Sequence, residues 1–309
     1  MLRKIRENEL INKTVRYLIK KGGDSGNSIY KYVINKWPTA GIVPCKFDSI
    51  KFNLYNDCDD HLVNHFYYGT KYEEESDLKL FKGLAKASEI ILDIGANTGL
   101  FSILSAISSP DSTIYAFEPY QTNYKRLQKN ISLNSIKNIH TQEIAIADKD
   151  ALITFNIPKN KKISCVSSAE QNFSKKIHPE LEWEYIHVKA ITLDSFAKQT
   201  INKKINLIKC DVESFEMNVF KGAHSILETD KPTIIFECFL DEERKDFFNK
   251  ILNTYSYYVY LILKEGIVVL ENGFAYNNGF NYLISPVKPS DSFIPYESLF
   301  KSPKKVMLI

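Results

Sequence analysis

Carboxylates and glycines at three places in the chain are of the types that bind and transform small molecules. Asp93, Gly95 and Gly99 stand in Asp93-Ile94-Gly95-Ala96-Asn97-Thr98-Gly99, directly after a short apolar run that begins at Glu89. Glu118 ends the next run, Ser112 to Phe117, and is followed by Pro119. It lies roughly 20 residues beyond the glycine turn, the distance at which a strand-end acid grips ribose hydroxyls. Asp211 and Glu213 follow the run Ile205 to Cys210, and Glu237 ends Pro232 to Phe236. Glycines let the backbone approach a ligand and adopt φ > 0 at little cost. A carboxylate accepts hydrogen bonds from both the 2′- and 3′-hydroxyl of a ribose. Carboxylates gathered in one place repel, which raises one pKa or recruits a cation, and either outcome suits a base that activates a hydroxyl.

The ligand follows from the spacing and the charge. A dinucleotide fingerprint needs G-x-G-x-x-G with a pyrophosphate on the following helix. Here the spacing is G-x-x-x-G, and Asp93 would repel a diphosphate. A cationic or neutral ligand suits that acid better. S-adenosylmethionine, with its ammonium, sulfonium and adenosine, fits, with Gly95, Ala96, Asn97 and Gly99 near the methionine part and Asp93 beneath the ammonium. The alternatives are a nicotinamide-dependent oxidoreductase on a Rossmann sheet, which the missing glycine disfavours, and a non-catalytic scaffold, which has no need of Asp93, Glu118 and Asp211 together.

Taken in order, Asp93 to Gly99, Phe117-Glu118-Pro119 and Ile208-Lys209-Cys210-Asp211-Val212-Glu213 resemble the FkbM family of S-adenosylmethionine-dependent methyltransferases, over about residues 45 to 240. The resemblance implies a Rossmann-like class I methyltransferase: α/β, with a mostly parallel seven-stranded sheet and an antiparallel edge hairpin. It also implies O-methylation of a sugar, a nucleotide-linked sugar or a glycan precursor. One departure is Ser214, where the family usually has glycine.

Asp211 is the expected general base or metal ligand, with Glu213 and Glu237 in support. Magnesium or calcium is compatible with such oxygen ligands. Glu213 could equally cap the following helix. His187 and His224 are weaker base candidates.

The elements that must position these residues alternate between strand and helix, which predicts a mostly parallel sheet covered on both faces. An N-terminal extension, 1 to 45, contains a basic amphipathic stretch, Glu7 to Lys21, suited to packing on the domain or on a second subunit of a homodimer. The methyltransferase domain is expected over 46 to 290 and a tail over 291 to 309. A strand is expected over Asp48 to Tyr55, and helices over Asp59 to Tyr68, Ser76 to Lys86, Ser195 to Gln199 (capped by Asp194) and Phe215 to Glu228. The aromatic and acidic stretch Tyr67 to Glu75, with Tyr72 and Glu74, precedes the glycine strand and could lid the cofactor. A third strand, Asn138 to Ile144, leads to Ala145 and Asp148, where the resemblance puts the adenine. Ala151 to Asp194 reads as an insertion of two strands around a long polar loop, whose Lys159, Lys161, Lys162, Lys175 and Lys176 could meet an anionic acceptor.

Composition narrows the rest. The 309-residue chain carries a net charge of +3, without a nucleic-acid footprint, and is 44% hydrophobic, enough for a full core. Its five cysteines form no C-x-x-C pair, which disfavours a zinc ribbon or disulfide framework and favours a reducing cytoplasm. No apolar run approaches the ~18 residues of a membrane span. The N-terminus lacks the apolar core of a secretory signal.

Overall fold

The computed structural model describes residues 38–68, 75–159, 167–170, 178–264, 266–274 and 280–287, with isolated helical residues between 8 and 17. Leu10, on the amphipathic stretch, is 74% exposed there. The candidate lid residues Tyr72 and Glu74, the loop lysines 161 to 176 and the tail 291 to 309 lie outside the described residues.

The chain opens with a hairpin, β1 (Ala40–Phe47) and β2 (Ile50–Asp57), followed by helices α1 (His61–Tyr68) and α2 (Glu75–Ala85). The first βαβ units follow: β3 (Ile90–Ile94), α3 (Leu100–Ser108), β4 (Thr113–Phe117), α4 (Gln121–Leu133) and β5 (Ile139–Gln142). Short β6 (Ala145–Ile146) leads to β7 (Ala151–Pro158) and β8 (Trp183–Ile191). The second half runs through α5 (Leu193–Thr200), β9 (Leu207–Cys210), α6 (Glu216–Lys221), α7 (His224–Thr229), β10 (Thr233–Glu237) and α8 (Glu242–Tyr255). It ends with β11 (Tyr258–Leu263), β12 (Gly266–Val269) and β13 (Asn281–Ser285).

The main sheet has eight strands in the order β12-β11-β13-β10-β9-β3-β4-β5. It is the expected Rossmann-like, mainly parallel α/β sheet, with two differences in detail. β13 runs antiparallel between β10 and β11 rather than at the edge, and β12 adds an eighth strand beyond β11. The strand reaches the interior because Tyr282, Leu283 and Ile284 are buried, and such a run needs cover on both faces.

The hairpin begins at Ala40, so residues 40–45, expected in the extension, pair with β2 instead. Val43, Cys45, Phe47, Phe52 and Leu54 join the core over one face of the main sheet with residues of α1, α2 and α3. Helices α5 to α8 contribute to the core over the other face. Two expected helix ends also change. Thr192 caps α5, its hydroxyl accepting from Ser195 N–H at 3.1 Å. Asp194 caps α7, accepting from Ser225 and Ile226 N–H. The helix expected over 215–228 is broken into α6 and α7, where Gly222 lies against the Ala147 carbonyl with no room for a Cβ.

The sheet alternation decides where the polar residues go. Successive side chains on a strand point to opposite faces. Ile91, Leu207, Ile235 and Leu283 all face the core on the hairpin side. Two residues further along each strand, toward one end of the sheet, the same face carries Asp93, Lys209, Glu237 and Asn281. β13 delivers Asn281 to that end because it runs antiparallel, with Glu237 opposite Asn281. The opposite face stays apolar to the strand ends, through Ile94, Cys210 and Phe236.

β3 leads to β4 on one side and β9 leads to β10 on the other, so the chain reverses direction across the sheet between β3 and β9. In open α/β sheets ligands bind beyond the carboxyl ends at such a point. α4 ties the hairpin to this region. Fully buried Asn130 accepts from Tyr55 N–H at 2.8 Å and donates to the Thr98 carbonyl at 2.8 Å. One turn on, Asn134 makes the same kind of contact with both backbone groups of Asn53. Asn130→Ala strands a buried donor and acceptor and is expected to cost about 2–4 kcal/mol in chemical denaturation, with an unchanged m-value.

Candidate functional site

The glycine turn is shaped first by the protein's own packing. Gly95 (φ +77°) lies so close to the β9 exit loop that a Cβ would stand 1.8 Å from the Asp211 carbonyl oxygen. Gly99 (φ +93°) has Leu127 in the same relation, at 2.4 Å. The Gly95 and Ala96 N–H groups both donate to the Phe117 carbonyl, at 3.0 and 2.9 Å. The glycine spacing therefore serves the approach of β9 and α4 to the turn.

Asp93 departs from its expected place. It is wholly buried, and its Oδ2 accepts from the Ser102 hydroxyl at 2.6 Å, which holds the start of α3. Its Oδ1 lies 3.9 Å from Lys209 Nζ. Burial pushes its pKa up, and the Lys209 ammonium opposes that shift. The carboxyl, expected beneath a ligand's ammonium, has no exposed surface.

Glu118 closes the other side of the turn. One oxygen accepts from Asn97 N–H and the other from Tyr120 N–H, both at 2.9 Å. Each oxygen keeps lone-pair capacity for a further donor. Burial pushes this carboxyl up to about 7.

A small apolar cleft lies beside the chain at Phe117 and Pro119, the residues on either side of Glu118. Gly95, Phe117, Pro119, Ala145, Val212 and Phe215 are among its lining residues. The three-stranded sheet β6-β8-β7 supplies part of its wall through Phe155. Ala145 and Pro119 line the same cleft. Asp148 is exposed beyond β6 and does not line the cleft.

A second small cleft, called polar for the charged side chains that border it beside Phe101, Cys210, Ile235 and Phe236, opens on the hairpin side of the sheet. Asp211 and Glu237 meet there, joined by Lys209, Asp77, Asn281 and Phe101. Lys209 Nζ is 3.0 Å from Asp211 Oδ2 and 4.7 Å from the centre of the Phe101 ring. The cation recruited by these acids is thus a lysine of the same face. Among the described residues no group of three or more His, Cys, Asp or Glu side chains could hold a metal ion.

Glu213 does not line this cleft. Instead the loop it occupies is wound tightly, with Glu213 at φ +53° and Ser214 at φ +74°. Ser214 therefore adopts the left-handed backbone that favours glycine. Buried Glu216 pins the loop, its Oε1 accepting from Val212 N–H at 3.3 Å and Ser214 N–H at 3.1 Å. Burial and the nearby Asp211 charge push Glu216 up to about 8.

His187 is exposed on β8, and His224 pairs with the Tyr255 hydroxyl at 2.6 Å, so neither joins the site. Exposed Lys159 pairs with Glu182. Cys45, Cys58, Cys210 and Cys238 form no disulfide among the described residues.

Lys209, Asp77, Asn281 and Glu216 were not singled out in the sequence. Lys209 had a signal, a charge within an otherwise apolar strand. Asp77 and Asn281, which hydrogen-bond at 3.0 Å across 204 residues, had none.

The turn, the ribose-type acid and the acids on the neighbouring strands define a Rossmann-like protein of the methyltransferase class. The FkbM methyltransferase domain matches residues 93–262, more than half of the 309 residues. The chain belongs to the FkbM methyltransferase family. It is 31% identical over 144 residues to "Methyltransferase 1" of Beauveria bassiana (strain ARSEF 2860), covering 43% of this chain and 57% of that one. It is 27% identical over 169 residues to "2-O-methyltransferase NoeI" of Sinorhizobium fredii (strain NBRC 101917 / NGR234), covering 52% and 67%. The match thus spans less than two thirds of the Beauveria protein. Among solved structures, the methyltransferase FkbM of Methylobacillus flagellatus KT is similar at 16% identity, with a TM-score of 0.43, over 75% of this chain and 56% of that one.

Glu118 and Glu216 have raised folded-state values, so each contributes stability that is fully present below about 4.5 and lost as the pH climbs through about 7 and about 8 respectively. The melting temperature of the free chain is expected to fall across this window, and Glu118→Gln to flatten the fall. Identical slopes in thermal melts of the two proteins would contradict the Glu118 assignment.

Proposed function

We propose that this protein is an S-adenosylmethionine-dependent O-methyltransferase acting on a hydroxyl of a sugar, a nucleotide-linked sugar or a glycan precursor. The observation that carries the reading is the meeting of two unlike clefts at the contact between Gly95 and Asp211. One is apolar and lined by Phe117 and Pro119, the chain neighbours of Glu118; the other is lined by Asp211 and Glu237. The residues present fit the donor. The apolar cleft suits an adenine face, and Glu118 has lone pairs for ribose hydroxyls. Family membership supports methyl transfer, and the similarity to a protein described as a 2-O-methyltransferase supports a hydroxyl acceptor.

When bound, the donor supplies an electrophilic methyl group on a sulfonium. The protein's part is placement and proton removal. In an in-line displacement the acceptor oxygen must stand about 3 Å from the methyl carbon. Asp211 would take the hydroxyl proton as the acceptor oxygen gains the methyl group, and the donor would leave as the neutral thioether with the carbon–sulfur electron pair. Glu237 and Asn281 stand where they can hold the acceptor's remaining hydroxyls. No observation favours the nicotinamide reading.

Labelled S-adenosylmethionine assayed against UDP-glucose, GDP-fucose and chito-oligosaccharides tests this reading. Methyl incorporation is expected, whereas stabilisation by NAD and not by S-adenosylhomocysteine would overturn it. Glu118→Ala is expected to weaken S-adenosylhomocysteine binding at least about tenfold in calorimetry. In the wild type that affinity should rise as the pH passes about 7 and Glu118 ionises. Asp211→Asn should lower kcat about 100-fold and leave S-adenosylhomocysteine affinity near wild type.

A further inference from the structure

We propose that Lys209 is a positioning residue whose buried ammonium, held between Asp93 and the Phe101 ring, fixes the Asp211 carboxylate at the polar cleft. The proposal deepens the functional reading above and rests on it.

Strand β9 does not need a cation. Its neighbours Leu207, Ile208 and Cys210 are buried and apolar, and the Lys209 side chain is only 7% exposed. A buried ammonium is costly unless it is paired and its donors are satisfied. The register supplies the pairing. Lys209 lies opposite Asp93 on β3, and Asp211, two residues further along, points to the same face. The ammonium therefore stands 3.9 Å from Asp93 Oδ1 and 3.0 Å from Asp211 Oδ2, over the Phe101 ring at 4.7 Å.

The two carboxylates have different surroundings. Asp93 is wholly buried and bonded to Ser102. Asp211 is 26% exposed and lines the polar cleft. Lys209 holds Asp211 by Oδ2, leaving Oδ1 to take the acceptor proton. Asp93 acts as the anchor that keeps the lysine extended. Ser102, Asp93, Lys209 and Asp211 thus form one polar line from the helix after the glycine turn to the base. This assigns Asp93 a role that the turn alone did not suggest, as anchor of the lysine.

The test compares wild type with Lys209→Ala. Because that change leaves Asp93 buried without its cation, the charge-balanced double variant Asp93→Asn/Lys209→Ala is made in parallel. Turnover is read with the best acceptor among UDP-glucose, GDP-fucose and chito-oligosaccharides, and S-adenosylhomocysteine affinity is read by calorimetry. In the variant that folds, kcat is expected to fall about 100-fold, with S-adenosylhomocysteine affinity within about threefold of wild type. Added ethylamine should restore at least about tenfold of the lost turnover by supplying an ammonium in the vacated space. A kcat within about threefold of wild type overturns the proposal. So does a loss of affinity in step with kcat, an absence of rescue, or failure of both variants to fold, which would make the role purely structural. A wild type that binds no S-adenosylhomocysteine or methylates none of the acceptors sinks the functional reading itself, before any variant is read.

Discussion

The exits of β3 and β9 lie in backbone contact, and the site depends on that contact. Gly95 stands against the Asp211 carbonyl with no space for a Cβ, and Asp211 N–H donates to the Ile94 carbonyl at 3.0 Å, so the pairing of the two strands continues to their ends. A side chain at position 95 would force these loops apart. With glycine there, the turn after β3 and the acid after β9 share a wall. The apolar cleft opens on one side of that wall and the polar cleft on the other.

Electrostatics divide the site into two regimes. On the apolar side Glu118 is desolvated, and backbone N–H groups of Asn97 and Tyr120 offset part of that cost. On the polar side Lys209 compensates Asp93 and Asp211 together. In each case the compensating group also fixes geometry. Glu118 joins the glycine turn to the start of α4, and Lys209 joins β3 to the exit of β9. The strained loop at Glu213 and Ser214 is held in a similar way, by the buried Glu216 carboxyl. Backbone strain of this kind persists only where its surroundings over-determine it.

Local patterns in the sequence made much of this legible. Apolar runs ending near Asp93, Glu118 and Glu237 marked the strands, because a parallel strand buried on both faces is mostly apolar; Lys209, buried within β9, is paired there with Asp93 and Asp211. The hairpin strand β1 was less visible. Its residues alternate between buried and exposed over only Ala40–Phe47 and contain Gly41 and Pro44, and most of them fall within the N-terminal extension expected from the sequence. Helix ends were misjudged where a cap comes from another segment. Asp194 suited its own helix by sequence but caps α7 instead. The edge position expected for the last hairpin came from the family resemblance, and nothing in the five residues of β13 tells which strands it will separate.

By itself the sequence determined the family, the alternating α/β order and the acids that stand at the strand ends, since these follow from residue type and spacing along a single strand. Tertiary structure alone decided which of those acids meet. It placed Glu237 and Asp211 in one cleft, turned Glu213 out of it, buried Asp93 behind Lys209, and brought Asp77 and Asn281 together from distant parts of the chain. The reason is that a strand's own pattern sets which face a side chain takes. The neighbours on that face are set by sheet order and register, through hydrogen bonds between segments far apart in the chain.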